Sequence, residues 1–139
     1  MYSVDANAVR TASGGRATVL VVDDDPGVTQ TFARILQLGG YGVLTAANGK
    51  TALRQVRQVH PDAVLLDLRM PIVDGLAFLR SLRAQEPDRQ TPVGIITGDY
   101  SLDGEMQREL CRLGASVHFK PIWLDDLLVI ARELIEKPH

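Results

Sequence analysis

The sequence predicts an α/β domain built on a doubly wound, parallel five-stranded sheet. Three observations carry that prediction. Short apolar, β-branched runs alternate five times with helical patterns. The runs read as strands buried on both faces, which only a sheet covered by helices on either side provides. Finally, chemistry-bearing residues follow these runs, and the carboxyl ends of parallel strands are where such sheets place their ligands.

In chain order, residues 1–16 are small and polar and close on Ser13-Gly14-Gly15, so they are expected to form a disordered tail ahead of one domain over 17–139. Val19-Leu20-Val21-Val22 is the first strand. Asp25-Pro26 then starts a helix, with Asp25 as N-cap and Pro26 at the first helical position, and Gly39-Gly40 ends it. The alternation continues with a strand at 41–45, a helix at 49–59, a strand at 63–66, a helix at 75–84 capped by Asp74, and a strand at 93–96. A weaker helix follows at 103–113, then a short strand at 117–119 and a last helix at 124–136. Cys111 beside Leu110 reads as a small, partly buried residue, and Trp123 as packing at the start of the last helix or, if exposed, as part of a partner surface.

Composition narrows the function. The 139 residues carry a net charge of −2, which offers no field for nucleic acid, and no stretch approaches the ~20 apolar residues of a membrane span. One cysteine forms no internal disulfide, and the opening residues lack a secretion signal, so a cytoplasmic protein is expected, without direct nucleic-acid or membrane binding. Only Lys137-Pro138-His139 follow Glu136, so the chain reads as one domain with no output module.

The strand ends carry Asp23-Asp24-Asp25, Asp67, Thr97 and Lys120-Pro121. Carboxylates gathered at one sheet edge repel one another unless a cation joins them, and Mg²⁺ suits oxygen ligands and a phosphate. A carboxylate also attacks phosphorus to give an aspartyl phosphate, and Thr97 and Lys120 supply a hydroxyl and a cation for the transferring oxygens. The set reads as a phosphoryl-acceptor site.

At these residues the sequence resembles the receiver domains of two-component response regulators, over roughly residues 18–135. The resemblance rests on Val19-Leu20-Val21-Val22-Asp23-Asp24-Asp25-Pro26, Leu65-Leu66-Asp67-Leu68-Arg69-Met70-Pro71 with Asp74-Gly75, Ile95-Ile96-Thr97-Gly98, and Phe119-Lys120-Pro121. Thr97 follows Asp67 by 30 residues and Lys120 follows Thr97 by 23, one strand–helix unit each.

The resemblance implies a flavodoxin-like (βα)5 fold with strand order 2-1-3-4-5. It implies that Asp67 accepts phosphate, with Thr97 and Lys120 as the switch hydroxyl and the phosphate-pairing cation. Asp23, Asp24, Asp67 and the backbone carbonyl of Arg69 would bind Mg²⁺, and the Lys120-Pro121 bond would be cis. The donor would be a sensor histidine kinase or a phosphotransfer protein. The downstream partner is unnamed and a homodimer is left open. Such a domain catalyses only its own phosphorylation and dephosphorylation. Val117 departs from the family, where an aromatic residue often stands three before the lysine and reads out phosphorylation. Arg69 and Asp99 are expected to pair over the mouth of the site and slow the hydrolytic water.

Two other readings differ in chemistry. A haloacid-dehalogenase-type phosphatase also starts from Asp-x-Asp after its first strand, but Gly27 is not the Thr or Val it expects, and a cap domain is lacking. A phosphorylation-independent interaction module with a receiver fold is the alternative function, although all the expected site positions are filled.

Overall fold

A computed structural model of the chain describes residues 16–68, 74–85, 90–98 and 101–136. Five strands alternate with five helices: β1 Thr18–Val22, α1 Pro26–Leu38, β2 Gly42–Ala46, α2 Gly49–Val59, β3 Ala63–Leu66, α3 Gly75–Arg83, β4 Val93–Thr97, α4 Gly104–Arg112, β5 Ala115–Phe119 and α5 Leu124–Glu136. All strand pairs are parallel, in the order β2-β1-β3-β4-β5. The expected tail lies outside the described residues except for Arg16.

Strand alternation divides the core between the two faces of the sheet. Leu20, Val22, Val64 and Leu66 pack with Ala52, Val56, Phe78, Leu79 and Leu110 of α2, α3 and α4. Val19, Val21 and Leu65 pack on the other side with Leu36 of α1 and with Leu127, Ile130 and Ala131 of α5. β1, β3 and β4 thus lie between helices on both sides, as their unbroken apolar sequences require.

The helix starts follow the capping chemistry read from the sequence. Asp25 Oδ1 accepts from the Gly27 amide at 2.8 Å, and Pro26 occupies the first helical turn. Asp74 Oδ1 accepts from the Ala77 amide at 2.8 Å, and Asn48 and Asp103 cap α2 and α4 in the same way.

Several expectations need correction. β2 runs one residue later than 41–45, because the Tyr41 amide donates to Leu36 O at the end of α1 and is not free for the ladder. β4 extends to Thr97, and β5 begins at Ala115, where pairing with Val93 and Gly94 holds two residues that alone read as loop. Cys111 is exposed, because α4 turns Leu110, Met106 and Leu113 inward and leaves Cys111 off that stripe. Trp123 is 71% exposed, so it is not a packing residue at the start of α5.

Candidate functional site

The strand order sets where chemistry can gather. β1 and β3 are neighbours at the centre of the sheet, and the residues that follow them, Asp23 and Asp67, leave the sheet side by side. Their backbones are fixed by the ladder: the Asp67 amide donates to Val22 O at 2.9 Å and the Asp23 amide to Ala46 O at 3.1 Å. Thr97 ends β4, the next strand, and Lys120 follows β5, with its amide bonded to Thr97 O at 2.8 Å. Four non-contiguous positions therefore converge at the carboxyl edge.

Asp23, Asp24 and Asp67 each offer a carboxylate oxygen within 4.8 Å of the other two. Asp23 and Asp67 are buried and Asp24 is exposed. Asp23 is held from two sides, since Oδ1 accepts from the Asp25 amide at 2.9 Å and Oδ2 from Lys120 Nζ at 2.9 Å. The lysine is partly buried against that carboxylate, so this pair is shielded from solvent more than a surface ion pair. Thr97 is fully buried, and Lys120-Pro121 is joined by a cis peptide bond.

Among the described residues one ammonium group opposes three carboxylates, an excess of negative charge in a half-buried setting. Its donors are all oxygens, and one faces solvent. That donor set fits a hard divalent cation that retains water ligands, and it lacks the nitrogen or sulfur donors that select zinc.

The structure thus brings together Asp23, Asp24, Asp67 and Lys120, and sets Thr97 on the adjoining strand end. Arg69 and Asp99, and with them the expected carbonyl ligand and the pair over the mouth, lie outside the described residues. Asp25 and Asp74 are caps, as expected.

Two features escaped the sequence reading. Lys120 pairs with Asp23, a partner that an excess of carboxylates at one edge would have suggested. Gly75, the first residue of α3, lies so close to the chain leaving β3 that an added Cβ would sit 2.6 Å from Asp67 O and 2.7 Å from Leu68 Cα. Only the short span from Asp67 hinted at that approach.

Comparison with known proteins agrees with this geometry. Residues 19–132 match the response regulator receiver domain. The transcriptional regulatory protein PrrA of Mycobacterium tuberculosis is 36% identical over 120 residues, which cover 86% of this chain and 50% of PrrA. The regulatory protein AtoC of Escherichia coli is 34% identical over 85% of this chain and 25% of its own length. The chain spans about half the length of PrrA and a quarter of AtoC. Among solved structures, the Vibrio cholerae chemotaxis protein CheY4 superposes with a TM-score of 0.78 at 31% identity, covering 85% of this chain and 98% of that one. With the strand order, the acidic cluster and the match over residues 19–132 in agreement, the chain belongs to the receiver domains of two-component response regulators, a family of signal-transduction domains.

Proposed function

We propose that this receiver takes a phosphoryl group onto Asp67 from a phosphohistidine on a sensor kinase or phosphotransfer protein, and passes the signal on by a change of shape. The observation that carries the reading is the convergence of Asp23, Asp24, Asp67 and Lys120 at one strand edge, inside a domain of this family. An Asp67 carboxylate oxygen attacks phosphorus in line, the bond from phosphorus to the donor nitrogen breaks, and an acyl phosphate results.

Asp23, Asp24 and Asp67, with the Arg69 carbonyl, would hold Mg²⁺, which when bound neutralises charge on the phosphoryl oxygens. Lys120 would exchange its bond to Asp23 for one to a phosphoryl oxygen, so the ion pair seen here stores the cation beside the place where it acts. Thr97, at the adjoining strand end, would donate its hydroxyl to another oxygen. Attack by water on phosphorus would return Asp67 and release phosphate.

The partners fit a cytoplasmic setting. No described helix is long and apolar enough to cross a membrane. The net charge of −2 favours output through protein contacts over direct DNA binding by this chain.

Incubation with acetyl phosphate and Mg²⁺ should add one acid-labile phosphate per chain, and Asp67→Asn should abolish it. Labelling of Asp67→Asn at the wild-type rate would refute the assignment.

A further inference from the structure

Charge is divided unevenly along the chain. Between Asp25 and Asp62 there is no acidic residue, and four cations, Arg34, Lys50, Arg54 and Arg57, give that stretch +4. The whole chain carries −2, so the remainder carries −6. All four cations are exposed, and none has an ion-pair partner among the described residues. The stretch holds α1, β2 and α2, which gathers its charge around one edge of the sheet: β2 is an end strand, and α1 and α2 touch it from opposite faces. Lys50, Arg54 and Arg57 follow one another at helical spacing along one side of α2.

The edge itself is open. The Gly42 amide donates to Ala17 O and Ala46 O accepts from the Asp23 amide, so the backbone groups of Gly42, Leu44 and Ala46 face β1, and those of Val43 and Thr45 face outward. Thr45 O accepts from Gln55 Nε2 of α2 at 3.1 Å, and no other hydrogen bond among the described residues reaches these outward groups. β2 has no charged residue, no proline and no bulge, the devices that keep an edge from pairing. Gln55 is a weak latch over it, since its Oε1 is buried without a partner among the described residues, a cost that is lifted when the side chain swings out to water.

We propose that the β2 edge is a docking site for an acidic, extended segment of a partner protein, which adds to the sheet beside β2 while Gln55 swings aside. The N–H and carbonyl groups of Val43 and Thr45 supply the ladder, and carboxylates on the segment meet the cations of α1 and α2. Charge selects this occupant. A second copy pairing through its own β2 brings +4 against +4, and a nucleic acid has no peptide backbone for the ladder and is repelled by the −6 on the remainder of the chain. Nothing in the inference depends on phosphorylation.

Nuclear magnetic resonance on the full chain tests the proposal, with a short capped peptide of alternating Glu and Val as the probe and its Gln and Val counterpart as the control. The Glu peptide should shift residues 42–46 and α2, and should slow amide exchange at Val43 and Thr45 about tenfold, because both N–H groups become bonded, while β5 does not respond. The Gln peptide, a rise from about 20 to about 300 mM salt, and the double variant Arg54→Gln, Arg57→Gln should each weaken binding about tenfold. Gln55→Ala should strengthen it about threefold, because no latch has to be moved, and weaker binding would overturn the latch. No binding at about 1 mM peptide, or binding without slower exchange at Val43 and Thr45, would overturn the docking site. Equal binding of the two peptides would overturn the acidic occupant, as would tighter binding of duplex DNA through the same arginines or association of the chain with itself through β2. Should the double variant lose strand protection, the salt and Gln-peptide comparisons decide alone.

Discussion

Replacing Gly75 by alanine tests how closely α3 is fitted to the end of β3. The new methyl carbon would meet Asp67 O at 2.6 Å and Leu68 Cα at 2.7 Å, where ordinary contacts lie near 3.5–4.0 Å. An overlap of about 1 Å therefore has to be relieved. Both obstacles are backbone, so no side chain can swing aside, and the cost belongs near the ~3 kcal/mol end for overpacking. Alanine's better helix propensity returns at most ~1 kcal/mol. The net loss is about 2 kcal/mol, or a fall of roughly 6–10 °C in the melting midpoint for a domain of this size.

Relief must come either from α3 moving out or from Asp67 moving back. In the second case, under the function proposed above, Asp67 leaves its line of attack, and uptake of phosphate from acetyl phosphate should fall by about tenfold to a hundredfold. Gly98→Ala is the control, since a Cβ there meets nothing within 4 Å, and its midpoint should change little. A Gly75→Ala protein as stable as wild type would show that the close approach does not govern the packing of α3.

Two further outcomes are expected. Asp24→Asn should raise the melting midpoint in chelator, because one of three mutually repelling carboxylates is gone, and should reduce the gain that Mg²⁺ gives wild type, about 1.4 kcal/mol at ten times Kd; a melt in which Mg²⁺ helps both proteins equally would remove Asp24 from the metal site. His118, half-buried beside Ser116 with Cys111 and Glu133 lining the same cavity, has its pKa lowered from the ordinary 6.5 by burial, opposed by Glu133. The unfolded chain therefore binds the proton more tightly, so His118's contribution is complete above pH 6.5 and is lost as pH falls through the folded value. Wild type should lose more stability than His118→Gln on acidification to about pH 5.5, and parallel curves would refute this.

Much of the molecule was legible in the sequence because its signals are local. Buried strands such as Val19-Leu20-Val21-Val22 must be apolar throughout, and caps such as Asp25 and Asp74 act on amides two or three residues away. The convergence of Asp23, Asp67, Thr97 and Lys120 was legible because each follows a strand and parallel strands share one carboxyl edge. What escaped depends on distant partners. Tyr41 looked like a strand residue, yet its amide is taken by Leu36 O, while its ring is buried as expected of an apolar side chain. Ala115 and Ser116 carry no strand signal and are drawn into β5 by β4. Arg83 reads as an ordinary surface cation at a helix end until its two carbonyl partners are seen.

The bond from Lys120 to Asp23 closes a loop of 97 residues, and it links the two ends of the strand set. A centre assembled from segments so far apart in the chain exists only where both segments are in place, and closing a loop of that length costs chain entropy that local structure alone does not repay. Under the function proposed here, a nascent or partly unfolded copy would hold every acceptor atom and still be silent towards its donor. Competence to receive a signal would then certify that the fold is complete, with no separate device to check it.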